Sequence, residues 1–169
     1  MKKIIKISLL LFFAFAILFL TNKIFISLSI KENAQRKILK LPSDGSFKNL
    51  NQTIFSFSDI IPNRELIIVH FNSECDYCMN EISDIIKQSE LIKDKNVLLI
   101  SSEKNEVLEK LYYEKNLNKY SFIKILRDDN HTFLNLFGTN AFPITLVYDK
   151  NLQLKKKYNG EASIEAIIK

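Results

Sequence analysis

Apolar runs of strand length alternate along the chain with segments whose apolar residues recur at helical spacing. The runs ELIIVHF at 65–71 and NVLLIS at 96–101 are almost continuously apolar, as expected of strands buried on both faces of a sheet. The segment between them, MNEISDIIKQSELI at 79–92, repeats its apolar residues with helical periodicity. Two such strands joined through a helix predict a parallel pair.

The chain on either side of this unit continues the alternation. FKNLNQTIFSF at 47–57 predicts two short strands around an Asn-Gln turn. Asp149-Lys150-Asn151 separates two late strands and is too short for a parallel crossover, so that pair is predicted to be antiparallel. The remaining predicted elements are a helix at 106–117, a strand at 121–127, a short helix at 129–138, strands at 144–148 and 153–158, and a helix at 163–169.

This order, β-hairpin, β-α-β-α-β-α-β-β-α, predicts an α/β fold in which helices flank a central mixed sheet that carries an N-terminal β-hairpin. The folded domain is predicted to span 45–169. In the short helix, Asp129 or Asn130 is the expected N-cap and Gly138 the expected stop.

The N-terminal segment has a different pattern, with a basic start and an apolar stretch at 7–20 whose only polar residue is Ser8. Extended back to Ile4 the stretch has 17 residues, the low end of the roughly 17–25 that span a bilayer as a transmembrane helix. A cleaved signal peptide is the alternative, although no small-x-small site follows the stretch cleanly. We predict a membrane anchor (or signal peptide) at 1–30 and a linker at 31–44.

The lysines around this segment bear on its orientation. Lys2, Lys3 and Lys6 favour an N-terminus inside the cell, while Lys23 and the other basic residues beyond the stretch weaken that preference. Since the short apolar segment resembles a signal anchor, we predict a single-pass inner-membrane protein whose domain lies in the periplasm.

Charge excludes one class of partner. The formal net charge is +5, but residues 1–30 hold four lysines and no acid, so the remaining 139 residues, with 20 basic and 19 acidic, carry +1. A domain so close to neutral has no electrostatic basis for binding nucleic acid.

The only two cysteines, Cys75 and Cys78, stand where the first buried strand gives way to the following helix. At a helix N-terminus, unpaired backbone N–H groups and the helix dipole favour a thiolate on Cys75. Cys78 shares a helical face with Ile82 and Ile85, so we expect it to point into the core. An exposed nucleophile beside a shielded resolving thiol is what a two-step disulfide exchange needs.

A metal site and a structural staple are the alternatives for this pair. A zinc site takes four ligands, and the two histidines, His70 and His131, form no four-ligand spacing with the cysteines, so no metal is predicted. Both histidines are expected to be structural. A disulfide across so short a loop removes little unfolded-state entropy. A Cys-x-x-Cys pair next to a βαβ pattern therefore favours a redox function.

A proline supplies a second signal. Pro143 directly precedes an apolar strand, where a proline often marks a special backbone such as a cis bond. With the cysteine pair about 65 residues earlier, it resembles the thioredoxin superfamily, in which a cis-proline loop lies against the cysteines. The resemblance extends to the TlpA/ResA-like membrane-anchored thiol–disulfide oxidoreductases through four features. They are the anchor, the hairpin, the Cys-x-x-Cys-x-x-Glu pattern that ends at Glu81, and the run from Pro143 through Thr145 to Asp149-Lys150.

The resemblance implies an enzyme that needs no bound cofactor. Cys75 would attack a substrate disulfide, Cys78 would resolve the mixed disulfide, and Phe142 and Pro143 would hold the substrate segment. The implied partners are protein disulfides as substrates and a membrane thiol–disulfide relay as the electron donor. A non-enzymatic binding or metallochaperone domain of the same fold stays open, as does, more weakly, a peroxiredoxin.

The chain also departs from the family pattern. Glu74 replaces the usual Trp before the first cysteine, and Val69 occupies the position of the carboxylate that thioredoxins bury beneath the pair. Glu81, one turn past Cys78, is then the better candidate for an internal base, with a solvated helix residue as the alternative. Because Glu74 and Asp76 flank the first cysteine with negative charge and disfavour its thiolate, we expect a reductase rather than an oxidase.

Overall fold

The computed structural model describes residues 15–25 and 38–169. They belong to two compact units, Met1–Arg36 and Lys37–Lys169. Of the first unit, residues 15–25 are helical. No helix among the described residues has the length and apolar character needed to cross a membrane. The predicted anchor at 1–30 lies largely outside the described residues and stays a prediction.

The second unit is built on a seven-stranded mixed sheet with the strand order β2-β1-β5-β4-β3-β6-β7. The strands are β1 (Ser46–Asn49), β2 (Ile54–Ser56), β3 (Leu66–His70), β4 (Asn96–Ser101), β5 (Ile123–Arg127), β6 (Ile144–Tyr148) and β7 (Leu154–Asn159). The helices are α1 (Asp76–Lys87), α2 (Asn105–Glu114), α3 (Thr132–Phe137) and α4 (Ile164–Ile168). The predicted order of elements and the α/β class are confirmed.

The register of the central strands brings two distant loops to one edge of the sheet. β3, β4 and β5 run parallel, whereas β6 is antiparallel to β3 and pairs Ile144 with His70. The end of β3 and the beginning of β6 therefore lie side by side. Consequently the loop that carries Cys75 and the loop that carries Pro143 meet at the same edge.

An apolar layer covers each face of the sheet. On one face, α1, α2 and α4 pack against central residues such as Ile67 and Val69. On the other, α3 and the aromatic residues of the β1–β2 hairpin pack against Leu66 and Ile68. Alternate residues of a strand point to opposite faces, so β3 must be apolar on both. All five of its residues are buried, including the polar His70 at its end.

The start of α3 differs from the prediction. Neither Asp129 nor Asn130 caps it. Instead, the carboxylate of Asp128 accepts the N–H groups of Thr132 at 2.7 Å and Phe133 at 2.8 Å. The predicted cap is wrong because the chain turns sharply after Asp128, which brings an earlier side chain to the first turn. The predicted helix stop is confirmed, because Gly138 ends α3 in the left-handed conformation, with φ of 70°.

Residues 38–41, which belong to the predicted linker, pack on the sheet. Ile38 and Leu41 are buried. The N–H of Leu41 donates to the carbonyl of Leu152 at 2.9 Å, and the Tyr148 hydroxyl donates to the carbonyl of Ile38 at 3.0 Å. The packed part of the chain thus begins before residue 45.

Candidate active site

The two cysteines occupy different environments at the start of α1. Cys75 is the N-cap residue, half-buried, and its Sγ accepts the N–H of Cys78 at 3.3 Å. Cys78 lies in the first turn, fully buried in the layer that contains Ile82 and Ile85. Both cysteines are free thiols. One thiol therefore reaches the surface while the other lies beneath it, as the helical spacing predicts.

Burial has a chemical consequence for the second thiol. Loss of solvent raises the pKa of Cys78 well above its usual range, and the neighbouring Cys75 side chain and the charge of Glu81 act in the same direction. Since a thiolate is the reactive form, Cys78 needs a nearby group that accepts its proton when it attacks.

Glu81 is the candidate for such a group. Its side chain is fully buried, one helical turn past Cys78. The hydroxyl of Thr145 and the N–H of Ala162, at 3.3 Å, donate to its two carboxylate oxygens. Burial raises the pKa of Glu81 to about 7, against the lowering effect of these two hydrogen bonds. The alternative of a solvated helix residue is therefore wrong, and the carboxyl group can both accept and release a proton near neutral pH.

The proline loop is connected to this carboxyl group through Thr145. The Phe142–Pro143 peptide bond is cis, as predicted. Pro143 is buried, and Phe142 is 42% exposed. Because Thr145 is two residues beyond the proline, its hydrogen bond to Glu81 ties the beginning of β6 to α1. This hydrogen bond thus fixes the position of the proline loop relative to the helix that carries the cysteines.

Glu103 is a site residue that the sequence does not predict. Its carboxylate accepts the N–H of Ser73 at 2.8 Å and the Ser73 hydroxyl at 2.5 Å. The Ser101 hydroxyl at the end of β4 also donates to it, at 3.1 Å. Glu103 therefore fixes the loop that leads to Cys75. Nothing in the local sequence marks it, because the contact joins residues 30 positions apart.

The histidines lie apart from the thiol chemistry. His70 is buried against Phe133 and Phe142, and His131 is the residue before α3. Among the described residues, no group of three or more His, Cys, Asp and Glu side chains is arranged to hold a metal ion.

Comparison with known proteins identifies the fold. No protein-family model and no curated protein matches the chain. Among solved structures, it is similar to the exposed lipoprotein thioredoxin of Streptococcus pneumoniae, at 20% identity over 73% of this chain and 94% of that one, with a TM-score of 0.55. It is also similar to a secreted disulfide oxidoreductase of Mycobacterium tuberculosis, at 11% identity over 76% of this chain and 88% of that one, with a TM-score of 0.60.

A third similar structure is a thiol:disulfide interchange protein of the thioredoxin family from Chlorobium tepidum, at 14% identity. The match covers 73% of this chain and 88% of that chain, with a TM-score of 0.60. All three carry the thioredoxin fold. At sequence identities of 11% to 20% this structural similarity establishes the fold alone, which is the thioredoxin fold.

Proposed function

We propose that the chain is a thiol–disulfide oxidoreductase that reduces disulfide bonds of proteins in the cell envelope. The observation that carries the proposal is the pairing of a half-buried Cys75 at the helix N-terminus with a buried Cys78 one turn inside it. The names of the similar solved structures, a disulfide oxidoreductase and a thiol:disulfide interchange protein, support the same chemistry.

The first step takes place at Cys75. Its thiolate attacks one sulfur of the substrate disulfide, that S–S bond breaks, and a mixed disulfide forms between Cys75 and the substrate. The displaced substrate sulfur leaves as a thiolate and takes a proton from solvent. The Cys78 N–H points at the Cys75 sulfur, where it favours the anion.

The second step releases the reduced substrate. Cys78 attacks the Cys75 sulfur, the mixed disulfide breaks, and the Cys75–Cys78 disulfide forms while the second substrate sulfur leaves. Glu81 takes the proton of Cys78 and later returns it, because its pKa of about 7 allows both directions at neutral pH. Two electrons pass to the substrate, and a membrane thiol–disulfide donor restores the dithiol.

The loop before β6 provides the docking surface for a polypeptide. Residues 140–142 of this loop are exposed and lead into the buried Pro143. An exposed loop backbone can pair with an extended segment of substrate, which gives affinity without a requirement for one sequence. We therefore assign Phe142 and Pro143 to substrate binding.

The proposed direction is reduction at the outer side of the inner membrane. Glu74 and Asp76 are exposed on both sides of Cys75, and their negative charges oppose the effect of the helix N-terminus, which favours a reductase over an oxidase. The localisation rests on the predicted anchor at 1–30. Reporter fusions after residue 45 test it, and strong activity of a cytoplasmic reporter would contradict it.

Two single-cysteine variants test the function itself. Cys75→Ser should abolish reduction of insulin, because no other thiol reaches the surface in the described structure. Cys78→Ser should still attack and should leave a stable mixed disulfide that non-reducing electrophoresis resolves. Full insulin reduction by either variant would contradict the proposal.

A further inference from the structure

His70 is a buried ring at the edge of the candidate site that the chemistry above does not use. It is 2% exposed at the end of β3. Its imidazole stacks on Phe133 of α3, with ring centroids 4.0 Å apart and planes at 10°. It also contacts the ring of Phe142, with centroids 4.7 Å apart and planes at 41°. His70 thus touches the loop that we assign to substrate binding.

A hydrogen bond ties the same ring to the backbone of that loop. The Nδ1 atom of His70 lies 3.2 Å from the carbonyl oxygen of Ala141. A carbonyl only accepts, so Nδ1 must carry the ring proton and donate it. Burial lowers the pKa of His70 to about 4, although the Ala141 hydrogen bond and the charge of Asp128 act in the opposite direction. The ring is therefore neutral at neutral pH and keeps its proton on the nitrogen that faces the loop.

Without such an anchor the backbone of this loop would be mobile. Ala141 and Phe142 are exposed, and exposed loop backbone is mobile unless a rigid element holds it. β3 is a central strand with all of its residues buried, so an anchor on it is as rigid as the sheet. Ordering a flexible loop when a partner binds reduces affinity, which a pre-formed loop avoids.

We propose that His70 is a positioning residue for substrate docking, whose Nδ1–H holds the Ala141 carbonyl and whose ring holds Phe142 so that the loop backbone is pre-formed for a polypeptide disulfide. The proposal rests on the proposed oxidoreductase function and names a determinant of its polypeptide substrates. It also revises the expectation that this histidine is merely structural. It makes no demand on the reactivity of Cys75, since the ring contacts the docking loop and not the thiols.

Two substitutions separate the hydrogen bond from the ring contact. His70→Phe keeps an aromatic ring against Phe133 and Phe142 and removes the donor. His70→Asn keeps an N–H donor at the same branch position and removes the ring. A control, His131→Asn, replaces the histidine outside the site, at a left-handed position that asparagine tolerates well.

The experiment measures steady-state reduction of insulin and the second-order reaction with hydroxyethyl disulfide, a small substrate that needs no docking loop. For His70→Phe we expect KM for insulin to rise about tenfold, as for the loss of one hydrogen bond, with kcat and the small-disulfide rate unchanged. His70→Asn should also raise the insulin KM, because it keeps the donor but loses the ring contact with Phe142. His131→Asn should match the wild type in both assays.

Other outcomes overturn the proposal in distinguishable ways. Equal loss against both substrates in His70→Phe would mean that the residue acts on the thiols or on the fold. An unchanged insulin KM in His70→Phe would show that the hydrogen bond does not position the loop, and an unchanged insulin KM in His70→Asn would show that the ring contact does not. If the wild type reduces neither substrate, the proposed function itself fails.

Discussion

Two buried groups give the domain opposing dependences of stability on pH, and removing either one should reveal the other. Burial lowers the pKa of His70 from 6.5 to about 4. Burial raises the pKa of Glu81 from 4.5 to about 7. Both are shifts between an unfolded chain, where the ordinary values hold, and the folded domain. Each therefore makes the free energy of unfolding depend on pH.

The two contributions have opposite signs. Below pH 6.5 His70 is protonated in the unfolded chain, whereas in the folded domain it stays neutral down to about pH 4. Stability is therefore lost as the pH falls through this window. Glu81 keeps its proton up to about pH 7 in the folded domain but releases it near 4.5 when unfolded, so stability is lost as the pH rises. Each difference of about 2.5 in pKa corresponds to about 3 kcal/mol.

Between pH 4.5 and 6.5 the two contributions oppose each other with similar slopes. In Glu81→Gln only the histidine contribution remains. Its free energy of unfolding should therefore rise between pH 4.5 and pH 6.5 by about 2 kcal/mol more than that of the wild type. In His70→Phe only the carboxyl contribution remains, and the difference should be about 2 kcal/mol in the opposite direction. Carboxyl groups with lowered pKa values, such as Glu65, contribute the same pH dependence of the free energy of unfolding to all three proteins.

Urea unfolding of the reduced protein, followed by far-ultraviolet circular dichroism at pH 4.5, 5.5 and 6.5, measures these differences. Glu90→Gln, which removes a carboxyl group on the surface, is the matched control and should follow the wild-type profile. If the profiles of Glu81→Gln and His70→Phe both run parallel to that of the wild type, the burial argument for the two groups is wrong.

Three further predictions concern the redox site. Glu81→Gln should slow resolution of the mixed disulfide by a factor of order 10²–10⁴ without changing its formation, which rapid quenching and mass spectrometry can follow; equal lifetimes would exclude it as the base. Glu103→Gln should weaken its hold on Ser73 and lower the free energy of unfolding by about 1–2 kcal/mol, measured by urea unfolding; an unchanged midpoint would contradict this role. Replacing both Glu74 and Asp76 by their amides should raise the reduction potential by about 10–20 mV in equilibrium with glutathione at low salt, whereas a fall would reverse the proposed effect of these charges.

The sequence predicts those parts of the fold that periodicity controls. The continuous apolar run of β3 indicates a strand buried on both faces, and all five of its residues are buried. The helical spacing from Cys78 to Ile82 and Ile85 places that thiol in the core, where the structure has it. The three residues after Tyr148 are too few for a crossover, and β6 and β7 are antiparallel.

The parts that the sequence does not predict depend on contacts between distant residues. The sequence leaves Glu81 open between an internal base and a solvated helix residue, because its burial depends on Thr145 and Ala162, 64 and 81 residues away. The anchor that His70 provides for the proline loop joins residues 71 positions apart. A buried polar group is stable only with its partners, and no local pattern shows where in the chain those partners lie.

The proposed disulfide exchange requires that Cys75 is the exposed nucleophile and Cys78 the shielded resolving thiol. Alkylation of the fully reduced protein with iodoacetamide at pH 7, with each cysteine quantified by peptide mass spectrometry over time, tests it most directly. We expect Cys75 to be modified at least about a hundredfold faster than Cys78, since the second thiol is buried and its pKa is raised. Equal rates at the two cysteines, or faster modification of Cys78, would contradict it.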